Sequence, residues 1–217
     1  MAKIIAIDGP SGVGKTTTSR LVAHELGLPH IDTGAMYRAL ALAAMREGID
    51  THDETKLEEL ASRVRIDFIP GERARVLLNG EDVTSMIRTP EMSMAASNVS
   101  AVPAVRRVLV RLQQDLGRRS GGVLEGRDIG TKVFPDTPYK FFLTARPEIR
   151  ARRRHAELLA KGEGVSYETI LAGTTARDEQ DSNRTDSPLT YDGSYTVIDT
   201  SDLTIGEVVQ RIVTLSS

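Results

Sequence analysis

Lys3–Asp8 reads KIIAID, and the eight residues that follow, Gly9–Thr16, read GPSGVGKT. The first stretch is a short β-branched run ended by Gly9 and Pro10, which fits a buried strand. The second matches the spacing GxxxxGK[ST], and Gly14 to Leu26 behind it reads as a helix. A strand before and a helix after are the context in which this spacing has chemical meaning. Gly9, Gly12 and Gly14, with Pro10, Ser11 and Val13 between them, let backbone N–H groups turn inward around phosphate oxygens. The helix adds its positive end. Lys15 reaches the β- and γ-phosphates, Thr16 offers a hydroxyl to Mg²⁺, and Thr17 completes the donor-binding set. A chance match in a chain of this composition is about one in a hundred, and a glycine-rich turn without ligand is the weaker reading.

Outward from the loop, strand and helix signals alternate. His30–Asp32 is a short strand, and Ala35 to Arg46 reads as a helix stopping at Gly48. From Val64 to Val83 the texture becomes β-branched, with Asn79-Gly80 as a tight-turn signal, so a small antiparallel insert is expected there. Pro103 opens a helix on which Val105, Leu109, Leu112 and Leu116 repeat at i, i+4, i+7 and i+11. Gly121-Gly122 ends it, and Val123-Leu124 forms a strand leading into LEGRDIGT, Leu124–Thr131. Tyr139–Leu143 is a further apolar strand, and Arg146-Pro147-Glu148 starts a helix. A polar helix from about Ser166 to Asp181, a strand at Tyr195–Asp199 and a helix at Ile205–Leu215 close the pattern. Strands alternating with helices imply a parallel α/β sheet covered on both faces.

Composition narrows the class. The 217 residues suit one domain with small lobes. A net charge of −2 argues against a broad nucleic-acid or membrane footprint. The absence of cysteine excludes disulfides, thiolate metal sites and a cysteine nucleophile. Apolar runs are far short of a membrane span, and Ile4–Ile7 is too brief for a signal peptide, so a cytoplasmic protein is expected. Arginines outnumber lysines 22 to 6. Guanidinium forks hold phosphates in bidentate geometry, but base composition of the gene is the better explanation of the count alone, so only position can decide.

A GTPase would need a guanine-reading NKxD segment, and none occurs. Small kinases remain, in which an acceptor is bound beside the donor. IDGPSGVGKTT, IDTGAMYR, EDVTSMIRTPE, EGRDIGTKVFPD and RDEQDSNR…SPL occur in the order found in bacterial cytidylate kinases, from Lys3 to the C-terminal helix. The chain resembles that family over nearly its whole length. The resemblance implies a P-loop NTPase core with a five-stranded parallel sheet flanked by helices. It also implies an acceptor-binding lobe over about 35–102, with the β insert at 64–84, and a mobile lid over about 155–188.

The resemblance further implies roles for particular residues. Arg38, Arg127 and Arg184 are expected on the acceptor phosphate, with Asp32, Thr33 and Tyr37 lining the same pocket. Ser97, Arg106 and Asp128 are expected to read the base. Cytosine presents an N4 amino donor that a carboxylate accepts, whereas uracil presents a carbonyl oxygen there. Arg177, with Lys15, Arg127 and Arg184, is expected to close over the transferring phosphoryl group, and Asp181 to stand near the ribose. Arg150, Arg153 and Arg154 are secondary candidates, and Glu125 is expected to touch the Mg²⁺ water shell. Gln114 and Lys132 depart from the family pattern away from the presumed pocket, and all four histidines fall outside the motifs.

The expected reaction takes ATP and CMP, or dCMP, to ADP and CDP, or dCDP, with Mg²⁺ on the phosphates. A monomer without nucleic-acid or membrane partners is expected. Two rivals stay open at this level: a kinase for UMP, AMP or shikimate, and a nucleotide-dependent binding switch.

Overall fold

A computed structural model describes residues 2–69, 74–160, 162–184 and 186–217. Residues 70–73, inside the expected insert, and Lys161 and Thr185, inside the expected lid, lie outside the described residues.

The element order is β1 (Ile4–Asp8), α1 (Lys15–Glu25), β2 (His30–Asp32), α2 (Thr33–Arg46), α3 (Glu54–Arg63), β3 (Ile66–Ile69), β4 (Arg75–Leu78), β5 (Glu81–Asp82), α4 (Pro90–Ala101), α5 (Pro103–Ser120), β6 (Gly122–Gly126), β7 (Tyr139–Thr144), α6 (Pro147–Ala160), α7 (Tyr167–Ser182), β8 (Thr196–Asp199) and α8 (Ile205–Ser216). A single π-helical turn, Ile129–Val133, joins β6 toward β7.

Five strands form one parallel sheet in the order β2-β6-β1-β7-β8. The hydrophobic run of β1 therefore stands at the centre, buried on both faces. Ile5 and Ile7 pack with Val22 of α1 and with Val208 and Ile212 of α8. Ile4 and Ala6 pack with Leu124, Ile129 and Val133 on the other face. Chain direction diverges beside β1: β2 lies to one side, beyond β6, and β7 to the other. Open α/β sheets bind ligands at such a switch point, beyond the strand carboxyl ends, and the phosphate loop leaves β1 there.

The insert is a second sheet, β3-β4-β5, antiparallel, with the Asn79-Gly80 turn between β4 and β5. It packs through Ile66, Val76 and Leu78 into a cluster with α2, α3, α4 and α5. Val105 and Leu109 of the expected α5 stripe are buried in that cluster, and Leu112 and Leu116 pack against it. α2 begins two residues earlier than its apolar pattern suggests, because the Asp32 carboxylate accepts from the Ala35 N–H at 3.0 Å and caps it. Sequence reading leaves α3, α4 and the π turn unassigned. The first two carry ordinary signals: Asp53 and Thr89 cap them, and Leu57, Leu60 and Ala61 give α3 its buried face.

Candidate active site

The phosphate loop is built around backbone that side chains would obstruct. Gly9 has φ 149°, and a Cβ there would run into the Leu143 carbonyl of β7. Val13 is buried in the apolar cluster under α1 and α8, which anchors the loop from below. The Lys15 ammonium folds onto the Pro10 carbonyl oxygen at 2.6 Å. Burial, followed by the nearby Arg127 charge, pulls it well below the usual lysine range, while Glu125 and Asp181 oppose that shift. The Thr16 hydroxyl donates to Glu125 Oε2 at 2.9 Å. Glu125 Oε1 lies 2.9 Å from His30 Nε2, and the Thr33 hydroxyl donates to the Glu125 carbonyl at 2.7 Å. His30, outside the motifs like the other histidines, nonetheless meets a residue of one of them. β2 and β6 are neighbours, with Asp32 opposite Glu125, so His30 at the start of β2 reaches the same carboxylate.

Among the described residues, no group of three or more His, Cys, Asp or Glu side chains could hold a metal on its own. Thr16 and Glu125 instead supply hard oxygen donors at the loop. That set fits Mg²⁺, which keeps several waters and takes its remaining oxygens from substrate phosphates.

Of the three candidate arginines of α6, Arg150 is the one that turns to the loop. Its Nη1 donates to the Ser11 carbonyl at 3.1 Å, and its Nε donates to the Ala145 carbonyl at 3.0 Å. The same guanidinium forms a two-pronged pair with Asp178 of α7. Arg153 is occupied by Thr200, and Arg154 pairs with Glu157 at the surface. A cavity of about 360 Å³ opens beside Pro10, between Phe142, Arg150, Asp178 and Tyr191.

A second cluster gathers the other expected arginines. Asp181, on α7 and 1% exposed, accepts from Arg127 Nε at 2.8 Å and from Arg184. Burial alone would raise its carboxyl; Arg127, Arg184 and Arg177 outweigh that and hold it below the usual range. Arg177 lies in the same field, lowered to about 10 by burial and then by Arg127. The Nε groups of Arg38, Arg177 and Arg184 are buried without partners among the described residues. Arg38 pairs with Asp32 at 2.8 Å, and Arg88 stands 3.9 Å from the same carboxylate. Burial would raise Asp32 too, but Arg38 and Arg88 hold it low. Several buried guanidiniums sharing few carboxylates, with N–H groups unspent, make a pocket for an anion with many oxygens.

The neighbouring cluster is different in kind. Arg106 of α5 forms a buried ion pair with Asp128, and its Nη1 donates to the Ser100 carbonyl at 3.2 Å. The Tyr37 ring lies 5.5 Å from the Arg106 guanidinium. Burial, with Arg106 opposing, pushes the Tyr37 hydroxyl up to about 12. Ser97, on α4, is not joined to this pair: its hydroxyl donates to Gln180 of α7 at 2.9 Å rather than to Arg106 or Asp128. Arg127 and Asp128 therefore face separate partners, one toward α7 and one toward α5. Sequence reasoning missed Gln180 and the His30–Glu125 pair; the register of β2 on β6 is the only signal for the latter.

No helix among the described residues is long and apolar enough to cross a membrane. A protein of Eubacterium ventriosum with no assigned function shares the fold at a TM-score of 0.55 and 13% identity, over 99% of this chain and 97% of that one. A sugar kinase of Janibacter does so at 0.50 and 15%, over 99% and 94%. The sequence profile described as Cytidylate kinase matches residues 5–217. A curated cytidylate kinase of Geobacter sulfurreducens is 50% identical over 210 residues, 96% of this chain and 90% of that protein. One from Caldicellulosiruptor bescii is 47% identical over 218 residues, 99% and 96%. The chain belongs to the cytidylate kinase family.

Proposed function

We propose that the chain transfers the γ-phosphoryl group of ATP to CMP or dCMP, giving ADP and CDP or dCDP. One observation carries the substrate assignment: adjacent residues Arg127 and Asp128 face an arginine cluster and a buried Arg106 pair, respectively. A nucleoside monophosphate likewise presents a phosphate at one end and a base at the other.

In this reading the donor phosphates lie in the Gly9–Thr17 loop, and Lys15 leaves the Pro10 carbonyl to meet the β- and γ-oxygens. Mg²⁺, held by Thr16 and through water by Glu125, would neutralise charge on those oxygens when bound. An acceptor phosphate oxygen forms the new bond to the γ-phosphorus as the bond to the β–γ bridging oxygen breaks. Charge in such a transition state spreads over the transferred group, so Arg127, Arg177 and Arg184 stabilise it without changing protonation. A phosphate acceptor is already ionised near neutral pH, with a second pKa of about 6, so no general base is required. Arg38 leaves Asp32 to join the acceptor phosphate, and Tyr37 lines the pocket. The segment around 35–102 acts as the acceptor lobe. The segment around 155–188 acts as a lid that excludes water, which would otherwise take the phosphoryl group. A cytoplasmic monomer without nucleic-acid partners completes the proposal.

Asp128 accepts from the cytosine N4 amino group and Arg106 donates to O2 and N3, while Ser97 reaches the base once Gln180 yields. The test is CMP-dependent ADP release with UMP as competitor. The wild type should prefer CMP by about 10- to 100-fold, the worth of one carboxylate–amino contact. Asp128→Asn should erode that preference more than it weakens ATP use. Equal rates with CMP and UMP in the wild type, or unchanged selectivity in the variant, would sink the reading.

A further inference from the structure

Asp8 is the last residue of β1 and stands directly before Gly9, yet no step above uses it. It is fully buried. Its carboxylate accepts three hydrogen bonds: from the Ile129 N–H at 2.9 Å, the Gly130 N–H at 2.9 Å and the Tyr195 hydroxyl at 2.8 Å. The two N–H groups open the π turn that begins immediately after Arg127-Asp128. The first amides of any helical turn lack partners within it, and a carboxylate is among the preferred caps for them. Asp128, the residue at the cap position, makes no such side-chain contact because its carboxylate is turned to Arg106. Asp8 supplies the cap from the neighbouring strand instead. β1 and β6 pair with Asp8 opposite Gly126, so its side chain lies just where the β6 chain bends away.

The contacts around the cap are close on every side. A Cβ on Gly130 would stand 2.5 Å from the Tyr195 hydroxyl and 3.0 Å from the Lys140 side chain, so only glycine lets the turn settle against them. Burial pushes the Asp8 carboxyl up to about 6, against the pull of its two N–H donors, with Asp128 adding to the rise. A buried carboxylate is costly unless its bonds are well made, and these bonds end at the segment that carries Asp128.

We infer that Asp8 is a positioning residue for nucleobase selection: by holding the Ile129 and Gly130 amides it fixes the direction of Asp128, and it ties that direction to the first residue of the phosphate loop. The inference rests on the reading of Asp128 as the acceptor for the cytosine amino group. A purely structural tie would affect folding, or both substrates equally; a positioning role singles out CMP.

The test is steady-state kinetics of the full chain with CMP, UMP and ATP. Asp8→Asn keeps the shape but offers one carbonyl oxygen in place of two, so one amide of the turn loses its acceptor. It should raise the KM for CMP about tenfold, the worth of one buried charge-assisted bond, and lower the CMP/UMP ratio several-fold. The KM for ATP should stay within about twofold of wild type, since the loop contacts are untouched. Gly130→Ala, which leaves Asp8 in place but drives the turn off Tyr195, should lower the ratio in the same direction and decides the matter if Asp8→Asn does not fold. An unchanged CMP KM and CMP/UMP ratio in a folded Asp8→Asn, or equal losses toward CMP, UMP and ATP, would overturn the inference. Asp128→Asn measured alongside separates the two levels. If it abolishes selectivity while Asp8→Asn keeps it, only the role of Asp8 fails; if it leaves selectivity intact, the base reading fails and this inference with it.

Discussion

Val13 of the phosphate loop is buried in an apolar cluster that includes residues of β1, α1, β7 and α8, whereas α7 buries only Ile170 and Asp181 along its sixteen residues. In the proposed reading the two regions carry side chains aimed at the same phosphates. α7 packs on α6 through a small apolar cluster of Ile170, Leu171, Ala151 and Leu158, and its other ties are polar: Asp181 with Arg127, Asp178 with Arg150, and Gln180 with Ser97. A loop set in packed hydrocarbon is preorganised, because moving it would expose apolar surface. A helix held by ion pairs separates into water at far lower cost, since water solvates both partners once they part. Under the proposed function the difference amounts to a division of labour: the sheet end presents a fixed donor site, and α7 brings charge to it reversibly. Asp181 also gives Arg127 and Arg184 an internal anion that keeps them together.

The comparison breaks first if the fixed side is not where most of the chemistry resides. Lys15→Ala removes the one loop charge placed to follow the γ-phosphoryl group. It should lower kcat by about 10³-fold, the scale of losing a preorganised transition-state donor, with little change in thermal stability. A loss below tenfold would move the dominant electrostatic contribution to the lid arginines. The loop was also the most legible part of the sequence. Glycine spacing, the β-branched run before it and the helix behind it each carry a local signal, and the structure keeps all three. The central position of β1 follows from the same run, because only a strand covered on both faces is apolar throughout.

What surrounds the loop was much less legible, for a physical reason: the missing pieces depend on partners distant in sequence. Asp8 reads as a strand boundary until the π turn brings the Ile129 and Gly130 amides to it from more than a hundred residues away. His30 reads as an unassigned strand residue until sheet register sets it against Glu125. Ser97 matched the family pattern, yet its observed partner, Gln180, sits on a helix whose low amphipathicity gives no sign of what it faces. α3 is a different case. Its cap at Asp53 and its Leu57-Leu60-Ala61 spacing were present in the sequence and simply lay outside the motifs.

The fixed side can be sharpened by titration. Asp8 has its carboxyl raised from 3.8 to about 6, so the folded state binds a proton more readily than the unfolded chain between those values. Its contribution to stability is therefore present below pH 3.8 and lost as pH rises through about 6. Between pH 8 and pH 5 the wild type should gain about 1–2 kcal/mol relative to Asp8→Asn, which has no group to titrate there. Urea unfolding of both proteins at the two pH values measures this double difference. A difference near zero would mean that the buried carboxylate is better solvated, and the frame less closed, than three hydrogen bonds and full burial indicate.

The lid side gives the smallest effect and the sharpest division. Asp178 joins α7 to Arg150, which also donates to the Ser11 and Ala145 carbonyls. Asp178→Asn keeps one carbonyl oxygen for the guanidinium and removes the charge, so Arg150 should stay in place while α7 loosens on the donor side. Arg150 is buried and Asp178 is 24% exposed at its side chain, so the pair is worth more than a surface bridge and less than a closed one. The KM for ATP should rise about three- to fivefold, a change of roughly 1 kcal/mol, while the KM for CMP stays within about twofold. Raising ionic strength should narrow the gap between wild type and variant, because only the wild type has the ion pair to screen. If CMP binding weakened as much as ATP binding, the ties of α7 would act as one unit, and the separate donor and acceptor attachments through Asp178 and Asp181 would merge into a single hinge.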